Sequence, residues 1–222
     1  MMKTLILIRA SNSEKAAAGN DRDRSLSSLG RRDATVMADK LQEIAPNVDA
    51  VTCSTAARAY ATADIFAGKF GKPVETDELI YGADSKTLLN VVRALNNIDN
   101  TVVLIGHNPG LTDFLCDLTG ISYNPFLDTG VAVLNCRAKK WKKVSFGGAQ
   151  TQTTFSPRAG TLRATEKPIK LIWYDRFLQW RFSKAHRFEI LMALLLGIII
   201  AVAIVAVFAI TSSGVKGGSG FY

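Results

Sequence analysis

Leu5-Ile6-Leu7-Ile8-Arg9-Ala10-Ser11-Asn12-Ser13 is a short apolar run that ends on a guanidinium. Apolar at every position and too short for a helix, Leu5 to Ile8 predicts a strand buried on both faces. A charge at the C-terminal end of such a strand points into the crevice where open α/β sheets hold ligands. The next residue, Ala10, is a methyl group with no chemistry of its own. The rest of the chain decides whether Arg9 is a ligand or a surface charge.

The 222 residues, 48% of them apolar, suffice for one sizeable domain and a smaller addition. The apolar excess is concentrated in Ile190 to Ile210, which carries no charge and is long enough to cross a hydrocarbon core. That run predicts a transmembrane helix over 189–211. The net charge of +8 gathers just ahead of it, in Lys167, Lys170, Arg176, Arg181, Lys184 and Arg187, with only Lys216 after it. The asymmetry predicts a single-pass protein of the cytoplasmic (inner) membrane, its N-terminal domain in the cytoplasm and its tail (212–222) across the membrane. Leu5 to Ile8 is too short for a signal peptide. Trp173, Tyr174, Phe177, Trp180 and Phe182 alternate with these cations, so 169–188 reads as an interfacial amphipathic segment and nucleic acid is not an expected partner. Cys53, Cys116 and Cys136, without metal-ligand spacing, read as reduced packing residues.

Along the chain, strands are expected at Met1 to Ile8, Asp49 to Cys53 and Thr101 to Gly106. Helices are expected from a Ser27 or Ser28 cap to Ala45, over Thr55 to Phe70, over Asp84 to Asn96 and from Gly110 to Leu118. Gly130 to Cys136 and Trp141 to Phe146 read as two final strands. The alternation predicts an α/β domain of three layers with a mostly parallel sheet over 1–146. Residues 147–168, poor in large apolar side chains, read as a linker.

In such a sheet three strand ends meet along one edge. Arg9 closes the first, Ser54 the second with Arg58 a helical turn later, and His107 closes the strand of Val102 to Ile105. Two guanidiniums, an imidazole and a hydroxyl placed together suit a phosphate group.

These residues resemble the histidine phosphatase superfamily, of phosphoglycerate-mutase-like fold, and within it the small SixA-like branch. The resemblance covers about Lys3 to Val144. Its anchors are Leu-Ile-Leu-Ile-Arg9, the Ser-x-x-x-Arg-Ala-x-x-Thr-Ala pattern of Ser54 to Ala63, and Gly-His-Asn-Pro-Gly at Gly106 to Gly110. Asp23-Arg24-Ser25-Leu26, Gly30-Arg31-Arg32-Asp33-Ala34, Tyr81 and Thr129-Gly130 support it. In active members the histidine after the first arginine attacks phosphorus while arginines and a second histidine hold the phosphoryl oxygens. The resemblance implies that Arg9, Arg58 and His107 form the phosphate clamp, with Ser54 a further donor; no cofactor or metal is expected. It puts the nucleophile at Ala10.

A methyl group attacks nothing, so no functional catalytic residue is expected. Ser11 is a conceivable substitute but lacks a neighbouring base. Glu14, Asp21 and Asp23 are general-acid candidates only by proximity, against a reading as solvated loop carboxylates. The expected function is a catalytically inactive, membrane-anchored pseudophosphatase, an accessory or docking subunit of a larger integral-membrane complex, binding phosphate or a phosphorylated ligand. The alternative is an active phosphohistidine or phosphomonoester phosphatase whose nucleophile has been exchanged for alanine. A third reading makes the helix the functional part, through the small residues Ala193, Gly197 and Ala201. His186 reads as an interfacial residue in preference to a pigment or haem ligand.

Overall fold

Leu5 and Leu7 face one side of β1 (Lys3–Arg9) and Ile6 and Ile8 the other, and none of the four has any exposure. Each pair seeds a separate core, one against each face of the sheet. The computed structural model describes residues 2–14 and 20–157 and, as backbone only, 164–165. These lie in the first of two units into which the chain divides, 1–169 and 170–222.

From β1 the chain passes through a polar loop into α1 (Ser28–Ile44), then β2 (Ala50–Ser54), α2 (Ala57–Phe70), β3 (Val74–Asp77), α3 (Ser85–Ala94), β4 (Thr101–Gly106) and α4 (Gly110–Thr119). The short β5 (Ser122–Tyr123) follows, then β6 (Val131–Cys136), β7 (Ala149–Phe155) and β8 (Ala164–Thr165), which pairs with β5. Ser27 caps α1 by accepting from the Gly30 amide, and Ala34, Met37, Ala38 and Leu41 bury one stripe of it. That stripe packs with α2 on the face of Ile6 and Ile8, while α3 and α4 cover the face of Leu5 and Leu7. Helices on both faces of one sheet give three layers.

The six-stranded sheet runs β3-β2-β4-β1-β6-β7. The first four strands are parallel, but β6 is antiparallel to β1 and β7 to β6, so the sheet is mixed where a mostly parallel one was expected. The final strand is also not where it was expected. Trp141–Lys143 is a 3-10 turn: Trp141 is buried while Lys142 and Lys143 are both exposed, which breaks the alternation a strand needs. The turn is fixed by the Trp141 amide on Asn97 Oδ1 (2.9 Å) and the indole N–H on the Asp99 carbonyl (2.8 Å). The strand instead lies in the stretch read as a linker. In β7 Ala149 and Phe155 are buried and Gln150 and Gln152 exposed, a strand alternation spelled in Thr and Gln, with a bulge opposite Val133 and Leu134. The domain therefore extends past 146.

The strand β3 was not anticipated, because Val-Glu-Thr-Asp at a sheet margin carries almost no apolar signal. Among the described residues no helix is long and apolar enough to cross a membrane, and the expected spanning, interfacial and tail segments lie outside them.

Candidate functional site

Register brings the anticipated residues to one edge. Arg9 pairs with Gly106, Cys53 with Ile105, and Ser54 with Asp77, so β1, β2 and β4 end side by side with Arg9, Ser54 and His107 at their tips. The Arg9 amide donates to the Gly130 carbonyl (3.1 Å) and the Ala10 amide to the Gly106 carbonyl (2.9 Å), fixing the first residues after the strand. Two close approaches shape this edge: a β-carbon at Gly30 would collide with the Asn12 carbonyl oxygen, and one at Gly110 with that of Ala83.

The floor is uncharged. Ser54, wholly buried, has its Oγ 2.9 Å from His107 Nε2 and also accepts from the Ala56 amide at 3.3 Å. Tyr81 meets the imidazole edge-on, ring centroids 5.8 Å apart. Burial, and then the Arg58 guanidinium, push the His107 pKa down to about 4; Arg9 adds to this and Asp21 opposes it. His107 is therefore a neutral imidazole at physiological pH, and its proton affinity registers both guanidiniums.

The cations each hold a carboxylate of the chain itself. Arg9 Nη1 donates to the Phe126 carbonyl at 2.6 Å and Nη2 pairs with Asp128 at 2.9 Å. Arg58 Nη1 donates to the Asp21 carbonyl oxygen at 2.6 Å and Nη2 to the Asp21 carboxylate at 2.9 Å. Arg22 pairs with Glu78, also reaches Thr55, and stacks over the Tyr81 ring at 5.2 Å. Hydrogen bonds from Arg24 and then Arg58 hold the Asp21 carboxyl below its ordinary range, so it is ionised and badly suited to donate a proton. Glu78 is lowered in the same way by Arg22. Of the other loop carboxylates, Glu14 and Asp23 are exposed.

Ser11 is tied into the core. Its Oγ donates to the Gly30 carbonyl at 2.8 Å and receives the Thr129 hydroxyl, and its amide donates to Thr62 Oγ1 at 3.0 Å. Thr62 Oγ1 in turn donates to the Arg58 carbonyl at 2.7 Å. With its only proton committed and 3% exposure, Ser11 is a structural hydroxyl and no substitute nucleophile. Thr129 is the one described non-glycine residue in the left-handed region (φ 58°), a strained setting for a β-branched side chain that turns the chain from Asp128 into β6. A cleft of 140 Å³ lined by Arg9, Asp33, Leu127, Asp128 and Pro157 opens beside Arg9. Among the described residues no three His, Cys, Asp or Glu are grouped to hold a metal ion.

Residues 5–81 match the family model of the histidine phosphatase superfamily, branch 1. An uncharacterized protein of Mycobacterium tuberculosis is 30% identical over 148 residues, 62% of this chain and 92% of that one. The chain belongs to the histidine phosphatase superfamily. The solved structure of a putative phosphohistidine phosphatase SixA from Nakamurella multipartitia is similar at 28% identity and TM-score 0.62, covering 72% of this chain and 98% of that one. A SixA structure complexed with tungstate shares the fold at 20% identity and TM-score 0.60, covering 69% and 97%. Within the superfamily the likeness is thus to the SixA-like branch.

Against the family pattern, Arg9, Ser54, Arg58 and His107 reach one edge as the sequence implied. Asp128, the Phe126 carbonyl, and Asp21 as partner of Arg58 were missed. The Thr62 link was legible as a polar residue one turn after Arg58; the others join segments far apart in sequence. His186 lies outside the described residues.

Proposed function

We propose that this chain is a membrane-anchored pseudophosphatase whose pocket binds phosphate or a phosphorylated ligand without turning it over, and which serves as a docking subunit of a larger membrane complex. The observation that carries this is Ala10. It follows Arg9 directly, at the edge shared with Arg58, His107 and Ser54, yet offers no nucleophile. The hydroxyl next to it in sequence, that of Ser11, is consumed by Gly30 and Thr129. Two guanidiniums, a neutral imidazole and a hydroxyl remain, a set that attracts and orients phosphoryl oxygens. The anchor rests on the apolar run 190–210 and the cations before it.

His107 supplies the test. A phosphoryl group near Arg9 and Arg58 offsets the charges that depress its pKa, so added orthophosphate should shift the His107 imidazole resonances and raise that pKa, and Arg58→Ala should weaken the response. Hydrolysis of an aryl phosphate by the unaltered chain, above the level of Arg58→Ala, would overturn the pseudophosphatase reading; turnover gained by Ala10→His would favour the alternative of a phosphatase whose nucleophile has been exchanged for alanine. Co-purification in mild detergent with a larger assembly tests the docking role.

A further inference from the structure

The clamp residue Arg58 is already occupied by an anion. Both of its terminal nitrogens are engaged by Asp21, one through the main-chain carbonyl and one through the carboxylate. That carboxylate also lies 3.4 Å from the Tyr81 hydroxyl, on the ring that packs against His107, and its charge is felt at His107. It therefore stands among Arg58, Tyr81 and His107, where a phosphoryl group would have to be. The pair is lopsided: the Arg58 side chain is 14% exposed and that of Asp21 53%.

We propose that Asp21 is a resident anion of the pocket, a carboxylate that must leave Arg58 before a ligand binds and so determines which anions are accepted and how tightly. The inference rests on the phosphate-pocket reading. Exchange runs in one direction because Asp21, whose other ion pair is an exposed one with Arg24 (3.1 Å), can swing into water at little cost, whereas Arg58 cannot. A monoanion replacing Asp21 exchanges one carboxylate-like contact for another and gains little. A phosphoryl dianion brings more charge and three acceptor oxygens, enough to satisfy Arg58 and engage Arg9 and His107 together. The pocket thus selects tetrahedral dianions over carboxylates and halides, at reduced absolute affinity.

The test is orthophosphate titration of the full chain in detergent, read from the His107 imidazole signals, which are simple to follow because the chain has two histidines. Asp21→Asn keeps the side-chain shape and the main-chain contact but removes the charge. It should tighten phosphate binding by about three- to tenfold, the range expected for releasing a half-exposed ion pair and its repulsion of the incoming dianion. Acetate should begin to compete, and the gain should vanish in the Arg58→Ala background. Asp23→Asn, the same charge change at an exposed neighbour, should leave affinity unchanged. Equal gains from Asp21→Asn and Asp23→Asn would overturn the proposal in favour of general electrostatics. So would an Asp21→Asn response no tighter than that of the unaltered chain, with the phosphate pocket itself left standing. Absence of any response at millimolar phosphate in every variant would instead remove the pocket reading, and the resident anion with it.

Discussion

β1 carries a cation at each end, and the two are treated in opposite ways. Lys3, 1% exposed, is closed in by the carbonyls of Asn97 (2.7 Å) and Asp99 (2.8 Å), by Asn100 Oδ1 (3.0 Å) and by the Trp141 ring. Every partner is neutral, and all come from the α3–β4 connection and the Trp141 turn. Arg9, at the other end, has a third of its side chain exposed and is balanced by a carboxylate that is itself partly in water. A cation enclosed by fixed neutral dipoles is part of the architecture; one balanced by a displaceable carboxylate is available to something else.

If that contrast holds, the largest effect belongs to Lys3. Lys3→Met should destabilise the domain by about 2–4 kcal/mol in urea unfolding, since it removes three hydrogen bonds from a buried ammonium and takes from the Asn97 carbonyl and Asn100 Oδ1 the donor that Lys3 supplies. A cost below that of ordinary surface changes would break the comparison.

Next comes acidification at the opposite edge. The His107 pKa is about 4 in the fold against 6.5 ordinarily. The unfolded chain therefore takes up the proton first, and stability should be full above pH 6.5 and fall as pH drops towards 4. By pH 4.5 the loss attributable to His107 is about 2–3 kcal/mol, and the slope over that window should flatten in His107→Asn whatever its absolute stability. Bound phosphate, by raising the folded pKa, should also flatten it.

Ser11→Ala sharpens the boundary between floor and rim. It strips the Gly30 carbonyl and the Thr129 hydroxyl of a partner, for about 1–2 kcal/mol by thermal or urea unfolding, and should not abolish the phosphate response. The smallest effect is expected at the rim. Asp128→Asn should change stability by less than about 1 kcal/mol while altering phosphate affinity through Arg9, which would separate the two measurements cleanly.

The sequence displayed those parts of the molecule whose signal is local. Leu5 to Ile8, the Ser27 cap, the α1 stripe and the Gly106 to Gly110 turn were visible because strand period, helix period and capping are written within a few residues. β7 was hidden because its alternation uses Thr and Gln, and Trp141 misled because one buried aromatic looks like the start of a strand. At the site, strand ends announced Arg9, Ser54 and His107. Their counter-ions were not legible, because Asp21 reaches Arg58, and Asp128 reaches Arg9, from loops whose course depends on the finished fold.

The buried cysteines give the two ends of the sheet separate clocks. Cys136 is the cross-strand partner of Lys3, and Cys53 precedes Ser54 on β2. Burial raises both thiols to about 12, so neither reacts until its surroundings open. With the other cysteines replaced, the labelling rate of Cys136 times openings around the enclosed lysine and that of Cys53 times openings beneath the pocket. A ligand that fills the pocket should slow the second clock more than the first.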